Sequence, residues 1–384
     1  MPNPSGVAGD NSSRFPFVML KEIYDQPAAI EETVRRHLDS TGRIHLEKDP
    51  LLPERLRELK RVTIVASGAS RHAGMCGRVM IEDLAGVPVA VEHASEYCYR
   101  KPATNGAELV VVITQSGETG DTVAAQRTAH EAGLSTLAIS NVADSTIVRE
   151  ASGALLTYAG KEVAIPATKS FTTQLTALYL FALYLAGAKG SLRAAEIATC
   201  IAELQRIPQT MASVLDPMDR RSAEVAKSYF QDQSILILGR AVHHPIALEA
   251  ALKLKEVSLI HAEGYATGEL RHGPTALVSD ATPVIVIATR DETDPGSMLR
   301  YEKTVALVEE LRPRSDRVIL IGSEGDPWAE SFGKENLLKV PRAPELLLPL
   351  LEILPLQLLS YHVAILNKLD VDRPQNLVKS VRQD

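Results

Sequence analysis

The sequence predicts an α/β protein in which one strand-and-helix unit is written twice. Strand-like runs of β-branched and aliphatic residues alternate with longer helical patterns. The same series recurs downstream at an offset of about 173 or 174 residues, as in a duplication. The first copy also carries a turn, Thr114 to Thr119, of the kind that holds an anion. With 384 residues, 45% of them hydrophobic and 23% charged, the chain can bury a sizeable core and is long enough for two domains.

Residues 1–16 are rich in Pro, Gly, Ser and Asn and are expected to be disordered. A helical segment follows over 17–60, with Met19 to Leu38 reading as one amphipathic helix. The first unit, 61–190, has strands at Val62 to Ala66, Leu109 to Ile113, Leu134 to Ser140 and Ala154 to Tyr158, and closes on an apolar helix, Thr173 to Ala186. A helical linker, 191–217, bridges to the second unit, 218–366. Its strands fall at Ser234 to Leu238, Pro283 to Ala288, Arg317 to Gly322 and Leu337 to Val340. It closes on Leu350 to Leu366, where Gln357 stands in the place of Gln174. The last segment, 367–384, is a polar tail with Asn376, Lys379 and Ser380.

Ile113 to Thr119 joins an apolar strand to a helix start with three hydroxyls, an amide and Gly117. A helix start leaves backbone N–H groups unpaired and carries partial positive charge, so a phosphate is the natural guest. The other reading is that Ser116 or Thr119 only caps the helix. The second copy has Arg290-Asp291 where the first has Ser116-Gly117, a carboxylate where an anion needs donors, so only the first copy keeps the cradle. In an open parallel sheet ligands sit beyond the carboxyl ends of the strands, which puts Gly68 and Ser70 on the opposite lip.

A net charge of −7 without any basic run argues against nucleic acid as a partner. Cys76, Cys98 and Cys200 lack metal or disulfide spacing and read as packing residues in a reducing compartment. The N-terminus has no apolar leader, and Leu175 to Ala188 reads as too short to span a bilayer, so a cytoplasmic protein without membrane contact is expected.

Three further groups could do chemistry. Glu249, Lys253 and Glu256 form one polar stripe on a helix opened by Pro245, either a solvated salt-bridge ladder or a tightly packed functional face. His261 to Pro274 reads as a long polar connection in which His272 is either an acid–base group or an exposed loop histidine. Lys379 reads as a solvated terminal lysine.

Together these motifs resemble the sugar isomerase (SIS) family and, within it, the synthase half of the glutamine:fructose-6-phosphate amidotransferases. The resemblance runs from about residue 17 to 384 through Met19 to Pro27, Val91 to Glu96, Gln115 to Thr119, Ala167 to Gln174, Ala247 to Glu256, Gly268 to Pro274 and Asp370 to Ser380. It implies two tandem flavodoxin-like SIS subdomains with parallel sheets flanked by helices, plus a C-terminal catalytic tail. It also implies a hexose 6-phosphate ligand, isomerisation through an enolamine, and no metal or organic cofactor. By position, Ser70, Thr114, Gln115, Ser116 and Thr119 hold the phosphate, and Ile165, Ala167 and Val378 are further substrate contacts. Glu256 moves the proton between C1 and C2 assisted by Lys253, and Lys379 forms a Schiff base. His272 opens the sugar ring in the neighbouring subunit's site, which implies a homodimer.

Some positions depart from the family pattern: Ser67 stands for a cysteine, Ala69 for a threonine, Thr114 and Ala167 for serines, and Val378 for an alanine. The glutaminase half, whose nucleophile is an N-terminal cysteine, has no counterpart here, since position 2 is Pro2; glutamine hydrolysis by that route is not expected. The leading reading is therefore a glucosamine-6-phosphate deaminase/isomerase using free ammonia. The alternatives are an ammonia-dependent synthase or one fed by a separate ammonia-supplying subunit, a deaminase for another amino-sugar phosphate, and a non-catalytic sugar-phosphate sensor.

Overall fold

The computed structural model describes residues 14–99, 101 and 107–380; the expectation of disorder over 1–16 falls, up to residue 13, outside them. Arg14 is held on Asp216 at 2.6 Å. The first sheet comprises β1 (Arg61–Ala66), β2 (Val89–His93), β3 (Glu108–Ile113), β4 (Ser135–Ser140) and β5 (Gly153–Leu156), in the order β2-β1-β3-β4-β5. The second comprises β6 (Ser234–Gly239), β7 (His261–Ala266), β8 (Val284–Ala288), β9 (Val318–Ser323) and β10 (Leu337–Val340), in the order β10-β9-β8-β6-β7. All pairings are parallel. Read from its other edge, the second order repeats the first, the flavodoxin-like arrangement with its switch point between the first and third strands.

Each sheet has a fifth strand absent from the sequence reading, and in each it is the edge strand beside the first, β2 or β7. An edge strand pairs on one side only and tolerates polar residues such as Glu92, His93 and Glu263, which hide the strand pattern. The polar connection expected over His261 to Pro274 therefore begins as a strand. Central strands show the reverse: Leu109 to Ile113 are wholly buried, as continuous aliphatic runs are when helices cover both faces.

The inner faces of both sheets share one apolar core with the helices Lys169–Lys189, Ala194–Tyr229 and Leu348–Leu366, and smaller clusters sit on the outer faces. Lys169–Lys189 is long enough to cross a bilayer, contrary to the expectation, as is Glu345–Leu366; most of each lies inside the protein. Ala194–Tyr229 runs through Pro208 and Pro217. Each proline removes an N–H, yet packing against Leu348–Leu366 carries the helix past residue 217, where the expected linker ends. The expected single helix from Met19 to Leu38 is two, Val18–Tyr24 and Gln26–His37. Pro27 in the first turn of the second explains the break.

At the carboxyl ends of β6 and β8 the second copy fills itself. His243, 3% exposed, contacts Glu352 Oε2 through Nδ1 at 3.0 Å and Glu345 Oε1 through Nε2 at 3.1 Å. Glu345 also accepts from Arg300 at 2.5 Å and from Ser297, and Glu352 accepts from Thr289. Burial works against a charged ring, but the two carboxylates outweigh it and push the His243 pKa up to about 10. Burial also works against an ionised Glu345, yet His243, Ser297 and Arg300 hold its carboxyl down at about 2. Replacing His243 by Leu leaves the buried Glu352 carboxylate without its cation and Glu345 with Arg300 alone, and a loss of about 3–5 kcal/mol is expected. Urea unfolding at pH 6, where both groups are charged, measures it; a loss under about 1 kcal/mol contradicts this account.

Candidate active site

β3 delivers the chain into the cradle. Gly117 has φ +69°, and a Cβ there would stand 2.0 Å from Ser145 Oγ, so only glycine lets the turn lie this close to the next loop. Thr114 Oγ1 and Thr119 Oγ1 share a hydrogen bond of 2.6 Å. Ser116 Oγ accepts from Glu118 N at 3.1 Å and meets Ser380 Oγ at 3.1 Å. The Glu118 carboxylate is turned to Thr146, accepting from its N–H and hydroxyl at 2.8 Å each. Thr119 occupies the N-cap position of the helix Gly120–Glu131, but no side chain caps it. Thr119 therefore does not cap the helix, whereas Ser116 Oγ does take an N–H of the turn, that of Glu118.

A second helix start faces the same hollow. Gly68–Ala85 begins after Ser67, again without a side-chain cap. Ser67, Ser70, Thr114, Gln115, Ser116, Thr119 and Thr122 line a cavity of about 130 Å³ together with Glu162, Ile165, Ala167 and Lys379. Two helix dipoles thus point their positive ends at one polar cleft. Lys379 is the one cation among these lining residues.

The tail reaches the cleft through a series of anchors. Val371 is fully buried. The Asp372 carboxylate accepts from Val18 N at 2.9 Å and Met19 N at 2.7 Å, capping the first helix from the other end of the chain. The Asp372 carbonyl accepts from Ile165 N at 2.9 Å. Lys379 Nζ then donates to Glu162 Oε2 at 2.6 Å and to Ala164 O at 2.7 Å. The Glu162 carboxylate also accepts from Thr168 N, Ser170 N and Ser170 Oγ at 3.1, 3.0 and 2.8 Å. Burial raises its pKa, but Lys379 and these N–H groups outweigh that and hold it below the ordinary value.

Glu22 lies behind the same strap, accepting from Val163 N at 2.5 Å. It is 2% exposed. Burial first, and then the charge of Glu162, push its carboxyl up to about 7, against the pull of the Val163 N–H, Lys169 and Lys379.

The other predicted residues do not line this cavity. Lys253 is fully buried, pairing with Glu249 Oε1 at 3.3 Å and with Glu256. Burial would lower its pKa, but Glu256 and Glu249 reverse the effect and raise it. The stripe is thus a buried charge chain rather than a solvated ladder. It lies where the helix His244–Lys253 passes into a π-turn, Leu254–Ser258. Glu256 opens onto a neighbouring hollow of about 220 Å³ lined by Lys368, Asp370, Arg373 and Gln375 of the tail. His272 is exposed on a 3₁₀ turn after β7. Val378, 66% exposed, is not among the residues lining the cradle cavity.

Sequence reasoning missed Glu162 and Glu22. Nothing local marks Glu162. Glu22 had a signal, an acid among Met19, Leu20 and Ile23 on the buried face of its helix.

Known proteins share this sequence and fold. The family model described as SIS domain matches residues 55–184 and 228–367. The glutamine--fructose-6-phosphate aminotransferase [isomerizing] of Chlorobaculum tepidum is 44% identical over 368 residues, covering 96% of this chain and 58% of that protein. Its counterpart in Methanosarcina acetivorans is 43% identical, covering 94% of this chain and 57% of that protein. This chain thus spans under two thirds of the length of these relatives. The solved C-terminal domain of glucosamine-fructose-6-phosphate aminotransferase from Francisella tularensis superposes with a TM-score of 0.88 at 37% identity, covering 95% of this chain and all of that one. A glucosamine-6-phosphate deaminase from Thermotoga maritima, with a TM-score of 0.69 at 22% identity over 95% of this chain and all of that one, shares the fold.

Two predictions arise. Gly117→Ala forces a side chain into an occupied space at positive φ, a strain of about 1–2 kcal/mol before the clash. Calorimetric binding of inorganic phosphate is expected to weaken about tenfold or more, and unchanged affinity removes the cradle from the account. For Glu22, the folded carboxyl titrates near 7 against an ordinary 4.5, so the folded state retains a proton that the unfolded chain releases. Stability therefore falls as pH rises from about 4.5 to 7 and levels off above. Glu22→Gln is expected to flatten that slope and raise the melting temperature at pH 8 by about 2–4 °C; an undiminished slope contradicts it.

Proposed function

The chain belongs to the SIS-domain family, and on that footing we propose that it makes an amino-sugar phosphate, converting fructose 6-phosphate and ammonia into glucosamine 6-phosphate and water. The observation that carries this reading is the arrival of Lys379 in the cavity of the uncapped helix starts. A phosphate cradle alone suits a sensor; a primary amine beside it suits carbonyl chemistry.

In this reading the phosphate sits at the starts of Gly68–Ala85 and Gly120–Glu131 on the hydroxyls of Ser70, Ser116 and Thr119, with Thr114 and Gln115 completing the turn. Ile165, Ala167 and Val378 flank the sugar. His272, exposed here, serves a neighbouring copy and opens the ring, so the working unit is a homodimer. Glu162 holds the Lys379 ammonium in place at 2.6 Å; once that ammonium has given a proton to solvent, the amine attacks the open-chain C2 ketone and water leaves. Ammonia then displaces the lysine, leaving an imine at C2. Glu256 removes a proton from C1, giving an enolamine, and returns a proton to C2, leaving the C1 aldehyde and the C2 amine.

Relatives at 40–44% identity are named for the amination, whereas likeness to the deaminase is a likeness of fold. That favours the synthase direction over the deaminase first expected from the sequence. Ammonia comes from solution or from an ammonia-supplying subunit.

Purified protein is to be given fructose 6-phosphate with either ammonium or glutamine, and glucosamine 6-phosphate in a parallel tube. Amino-sugar formation with ammonium, reduced at least about 1000-fold in Lys379→Ala, is expected. Turnover of glucosamine 6-phosphate alone supports the deaminase instead, and no turnover in any tube sinks both.

A further inference from the structure

The helix Gly68–Ala85 bears on the cradle through Ser70 and, two residues on, sends His72 the other way. His72 Nδ1 meets Glu249 Oε2 at 2.8 Å, with the imidazole 13% and the carboxylate 0% exposed. The other oxygen of Glu249 faces Lys253 Nζ at 3.3 Å, also fully buried, and Lys253 holds Glu256, whose side chain is 21% exposed. These four groups form a line from the first copy's cradle helix into the second copy's catalytic turn. Its last member, Glu256, opens on a hollow. Arg71 and His244 lie beside His72, and their charges act on one another.

We propose that His72 is a positioning residue for proton transfer: by fixing Glu249 it fixes Lys253 and so aims the Glu256 carboxylate. The chemistry of the line supports this. Glu249 is a buried carboxylate whose two oxygens face one cation and one imidazole. Without the imidazole, one oxygen loses its partner in a dry site, and the carboxylate is freed to re-pair with Lys253. Lys253 is then drawn from Glu256, whose reach to the substrate carbon depends on that contact. The π-turn at Leu254–Ser258 makes the aim adjustable, because it interrupts the regular helix between Lys253 and Glu256. The same helix that receives the phosphate thus holds the far end of the proton-transfer line. This inference rests on the reading of Glu256 as the proton-transferring group.

The test uses the whole protein with fructose 6-phosphate and ammonium, comparing His72→Phe, His72→Asn and Glu256→Gln. His72→Phe is expected to lower kcat at least tenfold with KM for the hexose phosphate within twofold. It is also expected to raise the primary isotope effect on C1-deuterated substrate, since C1 proton removal becomes the slow step. His72→Asn, whose amide can stand where Nδ1 does, is expected to recover part of kcat. A merely structural histidine would lower the melting temperature without moving the isotope effect. Unchanged kcat in His72→Phe overturns the proposal, as does a rise in KM alone or equal loss in His72→Asn. If Glu256→Gln stays active, the assignment of Glu256 has failed rather than the coupling. Should His72→Phe not fold, Glu249→Gln takes its place, with the same loss of kcat at constant KM expected and unchanged kcat overturning the proposal.

Discussion

The contact of Lys379 with Glu162 is the constraint on which the candidate site depends. It joins residues far apart in the chain, and it exists only because everything between them has folded. The tail must leave the helix Leu348–Leu366, bury Val371, cap the first helix with Asp372 and take the Ile165 N–H before its lysine can meet the carboxylate. Each anchor fills a need of the other partner, since the first helix start and the 162–168 strap both present N–H groups that their own neighbours do not satisfy. Folding energy is thus spent at one place to bring an amine against two uncapped helix starts.

The duplication sets an open cradle beside one that its own side chains fill. Gly68 and Ala241 hold the same left-handed backbone, φ +52° and +53°, at matching places after the first strand of each copy. In the same register Ser70 falls over His243, and the register that sets Gln174 over Gln357 sets Glu162 over Glu345. In the first copy Ser70 and Glu162 border an open cavity. In the second, His243, Arg300 and Ser297 close on the Glu345 carboxylate, and Asp291, where the first copy has Gly117, accepts from the N–H groups of Thr293 and Glu345. The second cradle carries its own anion. One copy keeps an open cavity, and the other holds the buried chain of Glu249, Lys253 and Glu256.

Much of the fold was legible because buried parallel strands write themselves as aliphatic runs, as Leu109 to Ile113 and Ser234 to Leu238 do. The edge strands β2 and β7 were not, since Glu92, His93 and Glu263 break the run where one side of the strand is unpaired. The cradle was legible from Gly117 and its hydroxyls, which act locally. Lys379 read as solvated on position alone, and only the resemblance to the SIS family pointed to it; its partner Glu162 had no local mark, because what defines it is a contact made after the whole chain has closed. The burial of the Glu249–Lys253 pair was one of two readings left open, because helical spacing reveals a stripe but not what the stripe faces. Here it faces His72 of the other copy.

The most direct measurement of the central claim is to trap the covalent intermediate. Protein incubated with fructose 6-phosphate is reduced with borohydride, digested and read by peptide mass spectrometry. One hexose-phosphate adduct is expected, on the peptide carrying Lys379, absent in Lys379→Ala and suppressed by excess inorganic phosphate. An adduct on Lys253 or Lys169 instead, or none while turnover proceeds, contradicts it.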